Sequence, residues 1–195
     1  MNNWPSYDLQ SVGFQPLSLY GLSLGESFVS HAPKLAAMQA LGFSAPPASL
    51  DEPDHFFVMN KGDESEDGAI TVLLKYSAEG TLRTVAMVLC GRAITTPEDA
   101  LEAATDLRTS VQASLPAPSC ELDQTTLWSK ASYEHPSDVA YSAFWDGSAG
   151  LRVADDKDEY LSQKDAVTGV MLSASISTVV DANGMAISLL LQIET

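Results

Sequence analysis

Residues 95–115 read TTPEDALEAATDLRTSVQASL, and they decide the fold because they spell one long amphipathic helix midway along the chain. Thr96 suits an N-cap, since its hydroxyl can accept an otherwise unpaired backbone N–H. Pro97 fits the first helical position, where no N–H is needed, and Glu98 and Asp99 suit the positive end of the helix dipole. From there Ala100, Leu101, Ala104, Leu107, Val111 and Leu115 recur at helical spacing on one side. Glu102, Asp106, Thr109 and Ser110 take the other. A stripe of this kind needs a sheet or another helix to cover it. Pro116 and Pro118 then stop the helix, because each removes a backbone donor and biases its predecessor away from helical angles.

The two flanks of this helix share one grammar. On the N-terminal side, residues 1–15 form an irregular lead-in, and Phe14 to Tyr20 is expected as a short edge strand because Pro16 does not fit a central one. A helical segment follows, with Ser30 as its cap, Leu35, Met38 and Leu41 as apolar positions and Gly42 as its stop. Three strands come next, His55–Asn60, Ala69–Ser77 and Leu82–Cys90. In the second, Ile70, Val72, Leu74 and Tyr76 alternate with Thr71, Leu73 and Lys75. Asp67-Gly68 and Glu79-Gly80 supply the turns.

On the C-terminal side the strand candidates are Thr125–Ser132, Val139–Trp145, Leu151–Ala154, Val170–Val180 and Met185–Ile193, with turns at Asp146-Gly147 and Asn183-Gly184. The last hairpin is the clearest. Val170, Leu172, Ala174 and Ile176 alternate with Ser173, Ser175 and Ser177, so one face packs and the other meets water. The expected fold is therefore α+β, with two tandem halves, 16–93 and 94–195, each a helix followed by an antiparallel meander, packed as one compact unit.

Composition narrows function. The chain has 195 residues, 26 acidic against 10 basic, for a formal charge of −16. A field of that sign repels phosphate backbones and anionic lipid, which argues against nucleic acid and membrane surfaces and favours a basic protein partner. No run of about 18 apolar residues is present, so membrane insertion is not expected. The first residues carry neither a basic nor an apolar leader region. An exported chain with its leader removed would read the same. A periplasmic or secreted location is the expectation in that case and a cytoplasmic one otherwise.

Cys90 and Cys120 flank the central helix. They either form a disulfide, implying an oxidising compartment, or remain two buried thiols. Gly21-Leu22-Ser23-Leu24-Gly25 matches the G-x-S-x-G pattern of a nucleophile elbow, with His31, His55 and His135 downstream, so a small serine hydrolase using Ser23 is the rival function. The pattern belongs after several strands of a parallel sheet, which this chain does not offer. Asp63, Glu64, Glu66 and Asp67 resemble half a calcium loop, but Leu74 stands where its bidentate Glu belongs, so they read as an acidic turn. No zinc spacing or phosphate-binding loop occurs, and neither metal nor cofactor is expected.

Trp128, Tyr133, Tyr141 and Trp145 concentrate in the second half beside the acidic run Asp155, Asp156, Asp158 and Glu159. Aromatic anchors rimmed by charge are what a protein-binding surface uses, and the alternative is that Tyr141 and Trp145 face the core. The opening from Gly21 to Gly25, the helix ending at Gly42-Phe43 and the later Glu79-Gly80-Thr81-Leu82 resemble a group of small exported bacterial domains. That group includes the beta-lactamase inhibitory protein and the small lipoprotein of the outer-membrane assembly machinery. The resemblance implies a helix-plus-sheet repeat and a protein-binding role. The expectation is a non-enzymatic inhibitor or immunity protein that neutralises a basic enzyme or toxin, with an envelope-assembly component as a further alternative.

Overall fold

The computed structural model describes residues 12–14, 17–44, 55–62, 69–125, 139–148, 150–181 and 184–195. Among them the chain is α+β, with a small three-stranded sheet and a large eight-stranded one. The small sheet pairs β1 (Val12–Phe14), β2 (Leu17–Leu19) and β3 (Leu22–Ser23) antiparallel. The predicted edge strand at Phe14–Tyr20 is thus two strands folded back on each other.

Helix α1 (Phe28–Ala40) begins one turn earlier than the sequence suggests. Ser27 is the N-cap, its side chain accepting from the Ser30 N–H, so Ser30 belongs to the first turn. Its end is the predicted one. Gly42 takes φ +94°, its N–H reaches the Gln39 carbonyl, and the Phe43 N–H reaches that of Met38, a Schellman closure that returns Phe43 to the core. Strands β4 (His55–Lys61), β5 (Ile70–Tyr76) and β6 (Leu82–Ala93) follow as an antiparallel meander. The β5–β6 turn closes through Gly80 at φ +74°, a conformation that costs glycine little.

Helix α2 (Pro97–Ser114) is the helix of the opening stretch, capped by Thr96 onto the Asp99 N–H. Its buried stripe is Ala100, Ala103, Ala104, Leu107 and Val111, and Leu115 is buried just beyond it. Leu101 does not belong to it and is 37% exposed, because it lies about 100° round the helix from Ala100. Ala103 takes its place. After the proline turn come β7 (Cys120–Asp123), β8 (Val139–Trp145) and β9 (Arg152–Val153), then helix α3 (Lys157–Asp165) and the long hairpin β10 (Met171–Asp181) and β11 (Gly184–Glu194).

The strands run β4-β5-β6-β11-β10-β8-β7-β9 across the large sheet, all antiparallel except the β7–β9 pair. The first meander joins the second half through β6 and β11, with Leu89 opposite Leu189, Met87 opposite Leu191 and Val85 opposite Ile193. One continuous core results. It lies on the face covered by α1, α2 and the small sheet, and draws Leu19, Leu22, Leu74, Tyr76, Leu107, Tyr141 and Leu172 into one cluster. Burying each leucine contributes roughly 1.5–3 kcal/mol.

Strand order decides between the two alternatives for the cysteines. The disulfide between Cys90 and Cys120 does not form; Cys120 is a free, buried thiol. Cys90 sits on β6 and Cys120 on β7, with β11, β10 and β8 between them, so four strand spacings separate the two backbones. That is about 19 Å, against the 7 Å or less a disulfide spans. The acidic run at Asp155–Glu159 forms the start of α3. Asp156 accepts from the Glu159 N–H while the Glu159 carboxylate accepts from the Asp155 N–H, a reciprocal cap.

Candidate functional site

Alternation along the strands gives the large sheet a second face. With the core residues turned toward α1 and α2, the opposite face receives Leu122, Ser142, Ser175, Leu190, Val88 and Thr71, which are register neighbours across six strands. Helix α3 packs on it, against β7. There Tyr160 joins Cys120, Leu122, Phe144, Ala154 and Met171 in a separate small cluster. Beyond α3 the face continues with Ser175, Leu190, Val88, Thr71 and Leu73 half-buried, a surface of small and aliphatic side chains.

Where α3 meets this face it leaves a cavity of about 250 Å³. Its roof is Lys157, Tyr160, Leu161 and Lys164, at relative positions i, i+3, i+4 and i+7 of the helix. The floor includes Ser142, Ser173, Ser175 and Leu190, with Leu122, Val139, Gln124 and Gln192 as walls. The two lysines are the charged residues that line it. Lys164 pairs with Glu194 at 3.4 Å, and Glu194 also accepts from Gln192 at 2.5 Å. Burial raises the Tyr160 hydroxyl far above the ordinary tyrosine value, so it stays protonated beside Ser142.

A second polar cluster lies inside the core. His31 is 0% exposed, with Nδ1 2.9 Å from the Tyr76 hydroxyl and Nε2 2.7 Å from Glu26 Oε2. Lys34 donates to the same Glu26 oxygen at 2.5 Å. Burial lowers the His31 pKa, outweighing the attraction of Glu26, so the ring is neutral. Facing a carboxylate, Nε2 carries the proton; Nδ1 then accepts from Tyr76, whose hydroxyl burial and the Glu26 charge push up to about 12. The Lys34 hydrogen bond holds the Glu26 carboxyl below its usual range.

This arrangement bears on Ser23. Both His31 nitrogens are already taken, and Ser23, 8% exposed, has no hydrogen bond to a histidine among the described residues. Nor is Ser23 at a strained elbow. The positive φ values fall at Tyr20, Gly21 and Gly25, and Ser23 is an extended residue paired with Ser18. Gly25 and Phe28 instead anchor the segment by donating to the carbonyls of Leu82 and Gly80.

The predicted aromatic anchors do not reach the surface where they are described. Tyr141 is 1% exposed and Trp145 4%, both on the core face. Tyr141 donates to Glu121 at 3.3 Å and Trp145 to the Pro116 carbonyl at 2.8 Å, so each polar tip is satisfied where it lies. Trp128 and Tyr133, and the acidic turn Asp63, Glu64, Glu66 and Asp67, lie outside the described residues. Asp155, Asp156, Asp158 and Glu159 are exposed. The cavity residues Lys157, Tyr160, Leu161 and Lys164 were legible only as helical spacing inside a stretch dominated by its charges.

Among the described residues no three His, Cys, Asp or Glu side chains converge as a metal site, and no helix is long and apolar enough to cross a membrane. No family model, curated protein or solved structure matches this chain.

Proposed function

We propose that this chain is a non-enzymatic protein-binding protein whose outer sheet face docks a basic partner, in concrete form an inhibitor or immunity protein that neutralises a basic enzyme or toxin. The observation that carries the reading is the row of Ser175, Leu190, Val88 and Thr71, half-buried and running out from under α3 across the sheet. Small hydroxyl and aliphatic side chains on a rigid sheet can be desolvated at little cost, which suits the centre of an interface. The net charge of −16 supplies the long-range attraction and selects partners of positive charge. The exposed carboxylates of Asp155, Asp158 and Glu159 add to that field at the α3 end of the face.

The test is capture from an extract of the native source at low salt, followed by a salt step and mass spectrometry. It is repeated with the Val88→Lys/Leu190→Lys variant, which places two cations on register-paired positions. A basic protein that is released by salt and lost on the variant supports the reading. An empty eluate, or a protein held equally by both forms, refutes it. Circular dichroism of the variant verifies that the sheet is intact.

A further inference from the structure

We infer that the cavity beneath α3 is a binding site for a small amphipathic carboxylate, a monoanion with an aliphatic tail. This ligand site adjoins the face proposed for protein docking and shares Ser175 and Leu190 with it, but it is argued from the cavity alone. The first ground is the orientation of charge. Helix α3 carries Asp158, Glu159 and Asp165 together with two lysines, and it is the lysines that line the cavity. In a chain with 26 acidic and 10 basic residues, a cavity whose charged lining is entirely cationic selects an anion.

The second ground is how those cations are committed. Lys164 already shares Glu194, which leaves Lys157 without an ion pair among the described residues. One uncompensated cation within a strongly acidic molecule balances a single negative charge, and a dianionic phosphate would be left half-neutralised. The two lysines are seven residues apart, about 10 Å along the helix axis. Leu161, Leu122, Val139 and Leu190 contribute apolar surface to the same cavity. A carboxylate at Lys157 with its tail against these residues satisfies both features.

The third ground is unused donors. Ser142 is engaged with Tyr160, but among the described residues Ser173 and Ser175 make no side-chain hydrogen bond, and both line the cavity. Their hydroxyls can meet a carboxylate oxygen or a bridging water. At about 250 Å³ the cavity lies just below the span of roughly 300–1,000 Å³ usual for ligand pockets. A fragment-sized ligand is the one that fits.

The experiment titrates the full chain, isotope-labelled for amide NMR, with octanoate, octanol and octyl phosphate. Octanoate is expected to shift amides of β8, β10, β11 and α3, and to bind about tenfold more tightly than octanol, the worth of one charge-assisted hydrogen bond. Lys157→Gln, at an exposed position, is expected to bring octanoate down to the octanol level. Ser175→Leu, which fills the floor, is expected to abolish both. Equal affinity for octanoate and octanol, tighter binding of octyl phosphate, no effect of Lys157→Gln, or shifts confined to other elements would overturn the assignment.

Discussion

Replacing His31 by alanine tests the buried polar cluster most directly. The imidazole is fully buried, so truncation removes its packing and opens a cavity, which for large side chains cut to alanine in a core costs roughly 2–3 kcal/mol at the low end. The hydrogen bond with Tyr76 adds about 1 kcal/mol. That with Glu26 also adds about 1 kcal/mol rather than the larger value of a buried charge, because the Glu26 side chain is 38% exposed and screened by water. The sum is about 4–5 kcal/mol, a large share of the 5–15 kcal/mol that holds an ordinary domain. Urea unfolding followed by circular dichroism reads it as a lower midpoint at unchanged slope. In a thermal scan each kcal/mol is worth about 2–4 °C for a chain of this size. A loss under about 1 kcal/mol would refute the buried, doubly bonded histidine.

The same residue sets a sign for pH. His31 has a folded pKa below its unfolded value, so between the two the unfolded chain binds the extra proton. Its contribution is fully present above the unfolded value of 6.5 and is lost as pH falls toward the folded one. Glu26, also lowered, adds a loss in the same direction below 4.5. Wild type is therefore expected to lose stability from pH 7.5 to 5.5, with at most about 1.4 kcal/mol per pH unit from one group. His31→Ala should lack that slope; wild-type stability that rises on acidification would show the ring gaining its charge in the folded state.

Other outcomes follow from single contacts. Leu107→Ala, in the buried stripe of α2, should cost about 2–5 kcal/mol, whereas Leu101→Ala should be nearly neutral, as equilibrium unfolding of both will show. Asp156→Ala removes the α3 cap and should cost about 1 kcal/mol, with hydrogen exchange accelerated in Asp158–Tyr160 and unchanged in β10. Arg108 reaches both Asp123 and Thr125 from α2, and Arg108→Ala should cost roughly 1–2 kcal/mol after allowance for its partial exposure, measured by urea midpoint. Because Cys120 is free and buried, reductant should leave the melting temperature unchanged, and Cys120 should resist alkylation until the chain unfolds.

Local pattern carried much of this fold. The alternation in Ile70–Tyr76 and in the last hairpin specified strands, and the alternating serines specified which face of β10 turns from the core. Thr96, Pro97 and Gly42 marked helix ends where the structure has them, because caps depend on a few neighbouring residues. Sequence alone settled the α+β class and the acidic field, since both follow from nearest-neighbour chemistry and from summed charge.

Tertiary structure decided what depends on distant partners. That β6 pairs with β11, joining the halves in one sheet, rests on register between residues about 100 positions apart, and no local period encodes it. The same strand order separates Cys90 from Cys120, although both border α2 in the chain. Tyr141 and Trp145 read equally well as anchors or as core, and went inside because α2 and the Pro116 carbonyl offered cover and an acceptor. The charged stretch from Asp155 hid a helix whose lysines turn toward the sheet. Only packing against β7 turns that spacing into a cavity, because orientation is set by the surface a helix covers.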